Sequence, residues 1–292
     1  MILVTTPTGN TGSLILQQLA EQRQEVRVFV RDPEKIPAAV LEKVEVATGS
    51  LLDEYEFTKA LQGCDTIYFC VPQSNTQEDV NVYYEEFAEV ASRAITNAGT
   101  KRVVYLSGGG KVNHLQAGLL TALHRSEDII SQSGASVRAL RCPVFFETLL
   151  YQKNSLKELG SFSLPIDGNY PFPQIAIKDI AAKAVEFLAD PTWTGVEGFA
   201  IHGPEELSYN EIALQMSELM GKPIRFQQVS EQDYIKTLLE KHHTSEAFAI
   251  SLTEMLTAIG NGLHDTEKRI ETSKTATTIK EWMGENLVSK IK

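Results

Sequence analysis

The chain has 292 residues, 42% of them hydrophobic, enough for one large α/β domain or a core with a smaller appendage. Its net charge of −11 argues against nucleic acid or an anionic membrane surface as a partner. Cys64, Cys70 and Cys142 form no zinc spacing, no apolar run reaches the roughly 18 residues of a membrane span, and no basic leader opens the chain. A cytoplasmic protein without a metal is expected.

Ile2-Leu3-Val4 reads as a first strand, and residues 13–20 as a helix. Between them lies the turn Thr5-Thr6-Pro7-Thr8-Gly9-Asn10-Thr11-Gly12. Strand, tight turn, helix is how a dinucleotide-binding fold opens. Its glycines let the backbone approach a pyrophosphate, and the helix N-terminus offers unpaired N–H groups. Read as G-x-x-G-x-x-G, the turn has Thr6 in the first place and keeps Gly9 and Gly12. Thr6, Thr8, Gly9, Asn10, Thr11 and Gly12 are the expected pyrophosphate contacts.

Residues 26–30 read as a second strand, with Arg31 just after it. An NAD site places an acid there, about 20 residues beyond the glycines, to hold the ribose hydroxyl. An arginine suits a 2′-phosphate, because guanidinium pairs with phosphate through a charged fork. NADP(H) is therefore the favoured cofactor, with Lys35 able to assist. NAD(H) stays open because Asp32 follows one residue later, and a solvated turn is the plain alternative for 31–35.

A third strand (44–47) leads to Asp53 and a helix over 54–61. The nearly continuous apolar run 66–71 suits the centre of a parallel sheet. Pro72, Gln73 and Ser74 at its exit are expected against the cofactor. A helix over 79–98 stops at Gly99. A fifth strand (102–106) exits through Ser107-Gly108-Gly109-Gly110, a helix covers 119–133, and a sixth strand covers 137–141. This rhythm implies an α/β fold with a doubly wound parallel sheet, a Rossmann core over 1–150. Residues 171–203 return to it with a helix (180–188) and a strand (199–202). Residues 151–170 and 204–292 form a smaller, mostly helical substrate or cap region that ends in a polar tail. Trp193 and Trp282 read as structural.

Five segments resemble the NmrA-like branch of the atypical short-chain dehydrogenases/reductases. They are Thr8-Gly9-Asn10-Thr11-Gly12; Val30-Arg31-Asp32-Pro33; Leu140-Arg141-Cys142-Pro143-Val144-Phe145-Phe146-Glu147; Lys178-Asp179-Ile180-Ala181; and 202–213, from His202-Gly203-Pro204-Glu205 to Glu211-Ile212-Ala213. Most short-chain reductases carry Tyr-x-x-x-Lys on the helix after the fifth strand, where Tyr gives a proton and Lys lowers its pKa. Aligned by Glu127 and Gly134, those places fall on Leu119 and Leu123, and a shift of one brings His124 to the Lys place. The resemblance puts Ser107 at the family's active-site serine, so Ser107 and His124 are the catalytic candidates. Ser107 is also a cofactor contact. Lys111 and His114 follow in the same loop, as surface residues or proton donors.

The resemblance makes Asp53, after the third strand, a cofactor contact, and puts Ser50 where the family has the acid that touches adenine. Pro143 lies beside the expected nicotinamide. Leu119, Leu123, Phe145, Phe146 and Tyr151 are the expected substrate pocket, joined by Phe162 and Tyr170; ordinary core packing is the plain alternative. The resemblance implies an NADP(H)-dependent reductase that passes hydride to a small quinone, imine or similar acceptor without the Tyr/Lys pair. Relatives that only sense the cofactor keep open a non-catalytic regulator with a protein partner. Both monomer and dimer remain open.

Overall fold

The computed structural model describes residues 1–111, 116–267 and 270–291. Its strands are β1 (Ile2–Thr5), β2 (Val26–Val30), β3 (Glu45–Thr48), β4 (Thr66–Phe69), β5 (Arg102–Gly108), β6 (Ser136–Cys142), β7 (Val144–Phe145), β8 (Ser161–Leu164), β9 (Phe172–Ile175), β10 (Val196–Ala200), β11 (Glu206–Leu207) and β12 (Arg225–Gln228). Seven of them form one parallel sheet in the order β3-β2-β1-β4-β5-β6-β10. The doubly wound sheet is as expected. Strand order reverses between β1 and β4, and such sheets bind ligands at that switch, outside the carboxyl ends of the strands.

Helices α1 (Asn10–Glu21), α2 (Ala38–Leu41), α3 (Glu54–Leu61), α4 (Val80–Ala98), α5 (Leu119–Ser131) and α7 (Ile177–Ala189) accompany the sheet, whereas α6 (Lys153–Leu159) packs in the cap. β1 and β4 are buried along their whole length, which is why they read as unbroken apolar runs. Phe57, Phe87, Ala91 and Ile95 of α3 and α4 share one core with Ile67, Phe69 and Val103. On the other face, Ile15 and Leu19 of α1 meet Ile180, Ala184 and Leu188 of α7 over Val4 and Val28. Asp79 caps α4 by accepting the Val82 N–H, and Gly99 ends it in the left-handed region.

The remaining helices are α8 (Tyr209–Met220), α9 (Glu231–His242), α10 (Glu246–Gly260), α11 (Ile279–Asn286) and α12 (Val288–Ile291). They build a second core on Phe162, Phe172, Tyr209, Ile212 and Trp282. The end of the chain is not the polar tail expected: Ile279, Trp282, Met283, Leu287 and Ile291 are all buried there. Their spacing is an amphipathic helical stripe, hidden in the sequence by the polar residues between them. Residues 160–173, rich in Gly and Pro, hold β8 and the start of β9. Each is short and pairs with a distant partner, β12 and β11 respectively.

Four of the five family-like segments resolve into local supports. Glu147 accepts the Ile177 N–H at the start of α7 and the Trp282 Nε1–H at 2.9 Å. Asp179 accepts from the backbone and hydroxyl of Thr277. Ser208 and Glu211 form a capping box on α8, and Glu205 accepts the Ile279 N–H. Asp32 caps the 3-10 turn Pro33–Lys35. The Gly9–Gly12 segment is the exception.

Candidate cofactor and active site

The turn after β1 is built for close approach. Thr6 sits at φ +48°, the left-handed conformation that favours glycine, so it holds the first glycine's place in geometry as well as in spacing. Its carbonyl accepts the Gly9 N–H at 2.9 Å. A β-carbon on Gly12 would stand 2.2 Å from that same carbonyl oxygen. Gly9 is the N-cap of α1, and no side chain caps the helix. Its first N–H groups are left for an anion, which the helix dipole also favours. Thr5 Oγ1 donates to the Tyr68 carbonyl at 2.9 Å and so levels the ends of β1 and β4.

At the exit of β2, Arg31 is exposed, and no ion pair holds it among the described residues. Asp32 is occupied: it accepts the Glu34 N–H at 3.2 Å and pairs with Lys35 at 3.4 Å. Tyr83 of α4 faces this exit, a residue that sequence reasoning missed. Its hydroxyl donates to the Pro72 carbonyl at 2.9 Å. Burial raises its pKa, and the nearby Arg31 charge pulls the other way. Arg31, Pro72 and Tyr83 thus gather at one place. Gln73 and Ser74 continue that loop, with Ser74 bonded to Thr76. Asp53 caps α3 through the Glu56 N–H at 2.9 Å, so its carboxylate is already engaged.

Around the ends of β5 and β6 the expected acids are committed elsewhere. Ser107, 3% exposed, donates its hydroxyl to Glu127 Oε2 at 2.7 Å. His124 Nε2 donates to the Gly108 carbonyl at 2.9 Å. Burial lowers its pKa, more than the Gly108 bond and the Glu127 charge raise it, so the ring is neutral. Lys111 is not a free surface residue. It pairs with Glu127 at 3.0 Å and with Asp128. His114 lies outside the described residues.

Glu127 is the hub of this cluster. It also takes Arg141 at 2.7 Å, while Arg141 reaches Glu267 at 3.1 Å and Glu267 accepts the Gly110 N–H at 2.8 Å. Burial alone would raise the Glu127 pKa; Arg141, Lys111 and Ser107 outweigh it and hold the carboxyl below its ordinary value. The network ties the loop after β5 to the C-terminal segment. The sequence signal for it was Arg141, a charge inside an otherwise buried strand.

The five expected pocket residues do not converge. Leu119 packs in the core of α4 and α5 with Phe248 of α10, and Leu123 borders both that core and the cap core. Phe146 packs tilted against Trp282 in the cap, Phe145 lies against the opposite sheet face, and Tyr151 is 70% exposed. Phe162 is buried in the cap core, and the Tyr170 hydroxyl donates to Asp265. α10 covers the leucine face; a β-carbon on Gly118 would collide with the Ser251 carbonyl. Pro143 does lie at a cavity at the sheet's carboxyl edge, with Gly109, Arg141, His202 and His264.

The signature of the NmrA-like family matches residues 1–286. The chain belongs to the NmrA-like family. Among curated relatives, it is 28% identical to the NAD(P)H azoreductase of Xenophilus azovorans, over 77% of this chain and 76% of that one. It is 26% identical to the (4-alkanoyl-5-oxo-2,5-dihydrofuran-3-yl)methyl phosphate reductase of Streptomyces griseus, over 98% of each chain. Its fold matches the NADPH-dependent quinone oxidoreductase of Escherichia coli solved with NADPH, at a TM-score of 0.83 and 21% identity, over 97% of this chain and 98% of that one. Among the described residues, no helix is long and apolar enough to cross a membrane, and no three metal-type ligands cluster.

Proposed function

We propose that this protein is an NADP(H)-dependent reductase that passes hydride to a quinone, imine or similar acceptor without the usual Tyr/Lys pair. The cofactor fits the residues present. Gly12 leaves no room for a side chain beneath the turn, the α1 N-terminus is uncapped, and Arg31 is unpaired at the β2 exit. Thr6 through Gly12 would hold the pyrophosphate and Arg31 the 2′-phosphate. Pro72, Gln73, Ser74 and Tyr83 would flank the ribose, with Asp53 near adenine and Pro143 near the nicotinamide. When bound, the cofactor supplies the hydride.

One observation carries the choice of acceptor. By the alignment on Glu127 and Gly134, Leu119 and Leu123 take the places of the acid–base pair, and the hydrogens of Ser107 and His124 are committed to Glu127 and Gly108. No strong acid faces the acceptor from α5. An iminium carbon accepts hydride directly, and a quinone spreads the new charge over its oxygen. NADPH oxidation with 1,4-benzoquinone and with a cyclic iminium ion tests the proposal, and turnover of both is the expected result.

A second reading is a cofactor sensor that acts through a protein partner. The Glu127–Arg141–Glu267 network favours it, because it links the loop after β5 to the C-terminal segment. Under that reading NADPH binds and neither acceptor is reduced.

A further inference from the structure

Two imidazoles, one half-buried (His202) and one buried (His264), end in one small cavity. His202, just past β10, and His264, in the 3-10 turn Leu263–Thr266, line a space of about 20 Å³ together with Gly109, Arg141, Pro143 and Glu267. That admits about one water-sized group. The Nε2 atom of each histidine is buried and has no hydrogen-bond partner among the described residues. Buried polar atoms are rarely left so, and an orphaned pair in one cavity points to a polar atom of a bound molecule. Gly109 makes the arrangement feasible: a β-carbon there would stand 2.9 Å from His264 Nδ1.

His202 is set up for proton transfer. Its Nδ1 lies 2.9 Å from the Gly203 carbonyl oxygen. A carbonyl only accepts, so Nδ1 keeps its hydrogen in either charge state. In the charged ring, Nε2 then carries the one proton free to leave. Losing it leaves the tautomer that Gly203 already holds, so no rearrangement is needed. The backbone is pinned on both sides: the His202 N–H donates to the Ser273 carbonyl at 3.1 Å, and its own carbonyl accepts the Thr275 N–H at 2.8 Å. Gly109 follows β5 and Pro143 follows β6, which puts the cavity at the carboxyl edge where the nicotinamide end belongs.

We propose that His202 Nε2 is the proton donor to the hydride acceptor, with His264 holding the acceptor's polar atom from across the cavity. This rests on the reductase reading above. The acceptor's C=O or C=N group gains a hydride from the dihydronicotinamide, which is oxidised as the acceptor is reduced. The π pair moves onto the acceptor's oxygen or nitrogen. That atom takes the Nε2 proton, the N–H pair stays on the imidazole, and the ring is recharged by water. Among the described residues, the charged and titratable groups that line the cavity with His202 are Arg141 from β6 and His264 and Glu267 from the C-terminal segment, and Lys274 is its backbone bridge partner. Burial lowers the His264 pKa to about 4, so that ring is neutral and holds the group without protonating it.

The test compares the unmutated protein with His202→Gln, which keeps a polar side chain but delivers no proton. Two results are expected. The ratio of kcat/KM for 1,4-benzoquinone to that for a cyclic iminium ion, which needs no proton, falls by at least about a hundredfold. In nitrogen-15 NMR of the NADP+ complex, added hydroquinone moves the His202 Nε2 resonance. An unchanged ratio or an unmoved resonance overturns the role of His202 alone. Failure of the unmutated protein to reduce either acceptor overturns the reductase reading with it. If His202→Gln does not fold, His202→Asn and the NMR of the unmutated protein carry the test.

Discussion

Gly12 lies so close beneath Thr6 that a β-carbon on it would stand 2.2 Å from the Thr6 carbonyl oxygen. The obstacle is backbone, so the turn itself has to open to admit a side chain. Gly12→Ala should therefore lower stability by about 1–3 kcal/mol, as overpacking does. It should also weaken NADPH binding by about tenfold or more, because moving the α1 N-terminus loses at least one charge-assisted hydrogen bond. Thermal unfolding and fluorescence titration measure the two effects. Unchanged NADPH affinity would argue against a dinucleotide at this turn.

Arg31→Ala should remove most of the preference for NADPH over NADH. A guanidinium–phosphate bond contributes roughly 1.5–3 kcal/mol, so the affinity ratio should drop about tenfold or more while NADH binding changes little. Equal affinity for both cofactors in the unmutated protein would contradict the assignment of Arg31 to the 2′-phosphate.

The tight turn around Gly12 and the exposed arginine after β2 were legible in the sequence because their cues are local. Glycine spacing, the apolar runs of β1 and β4, and a charge just past β2 each show within a few consecutive residues. Glu54–Leu61 was read with its observed bounds for the same reason. The α5 side of the site was not legible. Whether Ser107 is free depends on Glu127, which is 20 residues away and folds back onto it. Tyr83 reaches the site through Pro72, and His264 reaches Gly109 across more than half the chain. The buried C-terminal helices escaped notice because their apolar residues alternate with charges.

Glu127 should matter more to stability than any surface ion pair. It is 3% exposed and holds Arg141, Lys111 and Ser107. Glu127→Ala leaves partly buried cations short of a partner and should cost about 3 kcal/mol in denaturant unfolding. A loss below about 1 kcal/mol, the range of exposed pairs, would show that the cluster is solvated.

Stability should fall on mild acidification. His264 is held neutral down to about pH 4 in the folded protein, against an ordinary 6.5. Between those values the unfolded chain takes up a proton that the folded protein refuses. The stabilisation is therefore complete above 6.5 and is lost as pH falls towards 4, by about 3 kcal/mol in all. His124 is shifted in the same direction by burial. His264→Gln should flatten this slope in unfolding curves taken across the window, and a slope unaltered by the substitution would place the titration elsewhere.

The most direct test is anaerobic mixing of the unmutated protein with NADPH and 1,4-benzoquinone, followed at the nicotinamide absorbance and repeated with NADH. The account predicts saturable NADPH oxidation with one hydroquinone formed per NADPH, and a kcat/KM about tenfold or more higher than with NADH. NADPH that binds but is oxidised by neither benzoquinone nor a cyclic iminium ion would contradict it and leave the sensor reading in its place.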